Sequence, residues 1–335
     1  MAASGLIGQT QTTLRYRITD LGTLGGASSE ASGLNLLGDV VGSSLTSAGV
    51  QHAFLYRNGR MVDLGVLNGG TTSQATSISD AGVVVGYSGI NAYGPQFQEF
   101  TQGFVWQDGS IRGLGALYCP CSFNERYGTS RAFAVSRDGR VVGESLTGRA
   151  RSTQAFLWQE NAMRGLIEPD GVSNSAAYAI NDLDEIVGEF AGRAFLAARG
   201  GPQDLGVLPG DAVSSARAVS NTGVVAGDSI AADGVSHAFV WDLGAMRALG
   251  TLAGDVASQA RAINAAGQIA GRSGTADFSR SRAVLWQGGA VLDLNSMVTA
   301  AGWTLSDATG INDVGQVVGV GLRDGLVRAF RLDPQ

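Results

Sequence analysis

One pattern returns seven times along this chain, and its seventh copy is divided between the two ends. Half of the unit reads S-x-A-x-x-[I/V/L]-[N/S]-x-x-G-x-[V/I]-[V/A]-G. It starts at Ser29, Ser73, Ser130, Ser175, Ser214, Ser258 and Ser306. The other half joins an [H/Q/R]-[A/G]-F-[L/V]-W segment to a D-L-G-x-L-like segment, as in His52–Leu67 and His237–Leu252. The seventh second half begins at Arg328–Leu332 and finishes only at Tyr16–Leu24. Repeats of about 20–50 residues mark solenoids, propellers or arrays. A copy cut across the termini predicts an array that closes into a ring.

Each half reads as a hairpin. Ala31–Leu34 and Val40-Val41 flank the turn Asn35-x-x-Gly38, where Asn bonds its own backbone and Gly supplies positive φ. Alternation and β-branched or aromatic residues predict strands throughout, and no segment reads as a helix. Four short strands in each of seven units predict an all-β fold, a seven-bladed β-propeller of four-stranded antiparallel blades. With strands a to d running from the axis outward, the strand-a alanines (Ala31, Ala75, Ala132, Ala177, Ala216, Ala260, Ala308) suit the crowded axis. The strand-c Phe and Trp residues, such as Phe54, Phe156, Trp158 and Trp241, fill the wider gap between blades. The expected layout is a tail at 1–14 and one domain at 15–335. Its blades start near 29, 73, 130, 175, 214, 258 and 306, and residues 15–24 complete the last. An open solenoid is the rival architecture, but it needs polar capping repeats, which the pattern lacks.

Composition removes several function classes. All 23 basic residues are Arg, which excludes Schiff-base and P-loop lysine chemistry. A net charge of −6 argues against a nucleic-acid partner. No apolar run approaches the ~20 residues of a membrane span, and the first residues show no visible signal peptide. The 50 glycines sit at fixed repeat positions and read as turns. A closed ring has no structural need to oligomerise, so a monomer is expected.

The segments HAFLY, DLGTLGG and S-x-A-x-x-IN-x-x-G-x-VVG together resemble the bacterial HAF repeat family over about Tyr16 to Leu332. The resemblance implies an extracellular or cell-envelope location and carries no shared activity, so it assigns no catalytic residue. The copies depart from the pattern at Gly103, Asp184, Ala197 and Val284.

Departures from the repeat locate the candidate sites. His52 and His237 align with Gln102, Gln154, Arg193, Arg282 and Arg328, which makes them architectural and a His-dependent triad unexpected. Three connections are long: Gly86 to Phe104, Leu114 to Ala132, and Leu294 to Ala308. All three fall on the face that carries the b–c and d–a connections. They offer Tyr93, Phe97, Tyr118, Tyr127 and Trp303 for stacking on a sugar or docking a protein; self-packed loops are the alternative. Cys119 and Cys121 form a CPC too tight for an ordinary zinc site, and either free thiols or a strained redox bond would fit. Asp182–Glu185 lacks calcium-loop spacing. No metal and no cofactor is expected.

The residue after the strand-a Ala also varies: Ser32, Thr76, Phe133, Tyr178, Arg217, Arg261 and Thr309. With Arg131, Glu30, Gln259 and Asp307 nearby, it is the best candidate pocket, at the channel mouth. Arg217 and Arg261 either clamp a carboxylate or sulfate beside the wall of Phe133 and Tyr178, or pair with interblade acids such as Asp211 and Asp255. Three functions follow. The first is a non-catalytic module binding an extracellular glycan or protein. The second is a carbohydrate-active enzyme, a polysaccharide lyase or glycoside hydrolase, with Tyr178, Arg217 and Arg261 as catalytic candidates. The third is a structural spacer in a surface assembly.

Overall fold

The computed structural model describes residues 14–68, 70–90, 100–117, 129–147, 152–167, 174–198 and 201–335. They form seven four-stranded antiparallel sheets, each with its strands in consecutive order except the last. The innermost strands a are Gly25–Leu34, Gly70–Ile78, Ser130–Val135, Ser175–Ile180, Asp211–Val219, Ala257–Ile263 and Trp303–Ile311. Each touches the next around the ring, and the last touches the first. The chain is a seven-bladed β-propeller. Blade 7 takes its outer strand, Tyr16–Asp20, from the other end of the chain, paired antiparallel with Leu326–Pro334. The expected closure is the observed one.

The core lies between blades, with one buried cluster at each of the seven seams. Phe54, Phe104, Phe156, Phe239 and Phe330 are fully buried there, each worth roughly 1.5–3 kcal/mol of transfer free energy. The glycine closing each strand-b motif has a steric reason. A β-carbon on Gly227 would overlap the Ser215 carbonyl and crowd the Phe239 ring. In blade 6, where Val284 replaces the Phe, Trp286 crowds Gly271 instead.

The recurrent serines are polar staples between blades. Ser73 Oγ accepts from the Ala53 amide of the preceding blade at 2.8 Å and donates to the Gly65 carbonyl at 2.6 Å. Ser29, Ser130 and Ser214 make the same pair of bonds. Ser306 breaks the expectation. An extra register shift between Leu305 and Asp307 puts Leu305 in the buried slot, and Ser306 Oγ bonds the Val320 carbonyl in its own blade. On the a–b turn face, Asn35, Asn181, Asn264 and Asn312 each donate from Nδ2 to the backbone of the following blade. Asp184, which stands where other turns have Gly, takes positive φ (67°) and pairs with Arg140.

The two histidines have the architectural role expected of them. His52 Nδ1 lies 2.8 Å from Asp63, and His237 Nδ1 lies 3.1 Å from Asp211. The aligned Arg193 and Arg282 likewise bond Asp204 and Asp293. Each of these contacts ties the start of a strand c to a neighbouring strand d or strand a.

Candidate site at the upper channel mouth

Every strand a carries a β-bulge at one place. The register against strand b shifts between Ala31 and Gly33, and at the equivalent step in the other six blades. The extra residue is the variable one: Ser32, Thr76, Phe133, Tyr178, Arg217, Arg261 or Thr309. A bulge frees its residue from the ladder and redirects the side chain. Because it falls on the innermost strand, the ring presents seven such side chains around its axis.

These positions divide into two arcs. In blades 2 and 7, Thr76 Oγ1 donates to the Ala132 carbonyl (3.0 Å) and Thr309 Oγ1 to the Ala31 carbonyl (2.8 Å), so the hydroxyls are used in ring closure. Blades 3 to 6 present larger groups, and those of blades 3 to 5 touch in sequence. The Phe133 and Tyr178 rings lie 5.4 Å apart at 42°. The Arg217 guanidinium lies over Tyr178, 4.4 Å from the ring centroid. Arg261 Nη2 bonds both Gln259 Oε1 (3.0 Å) and Asp307 Oδ2 (3.2 Å).

Sequence reasoning missed a second ring of site residues. Each follows the strand-b glycine directly: Tyr87, Glu144, Glu189, Asp228 and Arg272 in blades 2 to 6. Each sits opposite the residue before the strand-a Ala. The repeat pattern ends at that glycine, yet the position varies as strongly as the bulge position, and that was the available signal. Arg131 stacks over Tyr87 at 5.4 Å and pairs with Glu144 at 3.6 Å. Arg217 Nε donates to Asp228 at 3.3 Å, and Asp228 also accepts from the Ala260 amide of the next blade at 3.0 Å. Ser215 Oγ donates to Glu189 across the seam.

The arginines therefore pair with acids, but not with the expected ones. Asp228, on strand b of blade 5, holds Arg217, and Asp307, on strand a of blade 7, holds Arg261 across the seam. Asp211 and Asp255 lie nearer the blade edge and hold His237 and Arg282. Of the expected neighbours, Gln259 and Asp307 join Arg261, while Glu30 is exposed. Trp303 also needs correction. It opens strand a of blade 7 and packs edge-on against Phe330, with ring centroids 6.2 Å apart, instead of standing on a free loop. The short 3-10 turn Leu294–Met297 takes up part of that extension. Tyr93, Phe97, Tyr118, Cys119, Cys121 and Tyr127 lie outside the described residues.

Burial sets the electrostatics. Burial raises the pKa of the Asp228 carboxyl, and Arg217 and Arg261 only partly oppose it. Glu144 is raised by burial and by the charge of Glu189, against Arg131. The Tyr178 hydroxyl is raised by burial, with Arg217 opposing and Glu189 and Glu144 adding to the shift. A tyrosine that acts as a base needs the opposite shift. The arrangement offers stacked rings, fixed donors and carboxylates.

The opposite mouth is ringed by the a–b turns. A cavity of about 340 Å³ opens among the a–b turns, over aliphatic residues such as Leu34, Ile78 and Ile180. Of its acids, Asp80 accepts from Leu36 N and Asp313 from Ala265 N of the preceding blade, both at 2.8 Å, and Asp182 accepts from Asn221 Nδ2 of the following blade at 3.0 Å. Among the described residues, no group of three or more His, Cys, Asp or Glu side chains is arranged to hold a metal ion. No helix among the described residues is long and apolar enough to cross a membrane.

No family model and no curated protein sequence matches the chain. Solved structures do. A prolyl endopeptidase aligns at TM-score 0.55 and 15% identity, covering 92% of this chain and 46% of its own. A puromycin-hydrolysing peptidase from Mycobacterium tuberculosis aligns at 0.50 and 15%, covering 93% and 53%. A puromycin hydrolase aligns at 0.51 and 16%, covering 90% and 51%. The chain thus spans about half the length of these structures, and the likeness is one of fold.

Proposed function

We propose that this propeller is a non-catalytic binding module that takes an extracellular ligand, a glycan, at the upper channel mouth. The observation that carries it is the contiguous arc Phe133–Tyr178–Arg217. A flat ring surface held beside fixed hydrogen-bonding groups is the chemistry that recognises a sugar, whose faces are apolar and whose edges are hydroxylated. The arc occupies bulge positions, where a side chain is free of the ladder yet rigidly based. The resemblance to the HAF repeats supports an exported or envelope-bound protein.

The lyase reading loses support at its own residues. Tyr178 holds its proton more tightly than a free tyrosine, and Arg217 is committed to Tyr178 and Asp228. The peptidase likenesses, at 15–16% identity, are likenesses of fold and transfer no activity.

Calorimetry against a panel of bacterial and plant oligosaccharides tests the reading. Binding that is lost in Phe133→Ala and Tyr178→Ala while both variants keep the wild-type Tm is the expected result. Ligand affinity unchanged in both variants would sink it. Cell fractionation with an antibody tests the location, and a wholly cytosolic signal would overturn that part.

A further inference from the structure

Cations and carboxylates around the upper mouth pair unevenly. Arg131 faces Glu144 and Arg217 faces Asp228, one against one. Arg261 and Arg272 share Asp307, with Arg261 Nη2 at 3.2 Å and Arg272 Nε at 3.7 Å from the same Oδ2. Their other common acceptor is neutral. Gln259 Oε1 receives Arg261 Nη2 at 3.0 Å, and Arg272 Nε and Nη2 at 2.9 and 2.6 Å. Two guanidiniums thus share one directly paired carboxylate at this end of the arc, and Asp228, already paired with Arg217, is the other acid whose charge reaches both. Burial lowers the Arg272 pKa first, Asp307 and Asp228 oppose it, and the like charge of Arg261 adds to the lowering.

Donors are left over. Arg261 Nε and Nη1 and Arg272 Nη1 have no acceptor among the described residues. Both side chains remain about a quarter exposed, 28% and 24%. Phe278, on the b–c loop of blade 6, lies 4.0 Å from Arg272 Cζ and holds the guanidinium by its face, so recognition falls to its edge. On the other side of the arc, in blade 4, Glu189 has a serine hydroxyl as its partner and, among the described residues, no arginine within ion-pair distance. That side repels an anion, so the arc has a direction.

We propose that Arg261 and Arg272 form an oxyanion subsite that takes a carboxylate or sulfate substituent of the bound sugar. Paired guanidinium edges match such groups through charge-assisted hydrogen bonds. The ligand class becomes an acidic glycan, lying with its ring toward Phe133 and Tyr178 and its anionic group toward blade 6. The sugar part of this assignment rests on the stacking reading above; the anion part rests on the two arginines alone.

The test follows side-chain NMR signals while galactose, galacturonate and galactose 6-sulfate are titrated separately into the whole chain. The Arg272 Nε–H signal is identified by its loss in Arg272→Gln. It is expected to move with galacturonate, galactose 6-sulfate or both, which tells the two oxyanions apart, and to stay in place with galactose. Movement with none of the three, or equal movement with galactose, would overturn the subsite. The ring signals of Phe133 and Tyr178 judge the stacking reading separately, since they should respond to all three sugars. In Arg272→Gln, affinity for the acidic sugar should fall roughly 10-fold or more and that for galactose should hold. Equal acidic affinity in the variant would count against the proposal.

Discussion

The guanidinium of Arg217 lies on the face of Tyr178, 4.4 Å from the ring centroid, and its Nε reaches back to Asp228 at 3.3 Å. Three blades' worth of chain meet in that contact, since Tyr178 belongs to blade 4, Arg217 and Asp228 to blade 5, and Asp228 also caps the Ala260 amide of blade 6. The cation is fixed from two sides. It builds a rigid wall for a ligand more readily than it serves a moving charge.

Removing that cation should be costly. Arg217→Met leaves Asp228, almost wholly buried, without its direct partner, and loss of one member of a buried pair destabilises by about 3 kcal/mol or more. The double variant Arg217→Met/Asp228→Asn should recover much of the loss. Urea unfolding of the two variants checks this; equal stability of the single and double variants would contradict it.

The serine staples predict an unequal pair. Ser73→Ala strands the Ala53 amide and the Gly65 carbonyl at a buried seam, a loss of about 1–3 kcal/mol. Ser306→Ala removes one bond within blade 7 and should cost less, about 0.5–1.5 kcal/mol. Reversed magnitudes in thermal unfolding would show that the staple does not join the blades.

Closure can be cut without touching the candidate site. Deleting residues 1–20 removes strand d of blade 7 and exposes the edge of Leu326–Pro334, a template for association. A lower Tm and concentration-dependent light scattering are expected. An unchanged Tm would mean that the ring does not depend on this strand.

Tyr16, buried at the blade 6–7 seam, supplies an alkaline signature. Burial pushes its hydroxyl up to about 12 from 10.0. The folded state thus favours the protonated form, a contribution fully present below pH 10 and lost as pH rises toward 12. The drop should approach about 2 kcal/mol, and Tyr16→Phe should remove it. A Tyr16→Phe variant with the wild-type slope between pH 10 and 12 would refute the assignment.

Much of this was legible because the repeat is a local code read in register. Asn35-x-x-Gly38 predicts its hairpin, and the split copy predicts blade 7. The bulge position, with Phe133, Tyr178, Arg217 and Arg261, was visible as the place where copies disagree. Asp228 and Arg272 were not read, although they vary just as openly, because one strand's pattern does not say which residue of the next strand stands opposite. The departure of Ser306 from the other serines was hidden for a related reason. An inserted bulge shifts the register by one and exchanges buried for exposed positions, and nothing in S-x-A marks it.

The sequence by itself determined the number of blades, their four-strand composition and the closure of the ring, since these depend on periodicity and turn chemistry within short segments. Only the tertiary structure decided which charges meet. Arg217 with Asp228, and Arg261 and Arg272 sharing Asp307, are contacts across strands and seams. Their geometry comes from the bulge and the packing angle between blades, which no single repeat encodes.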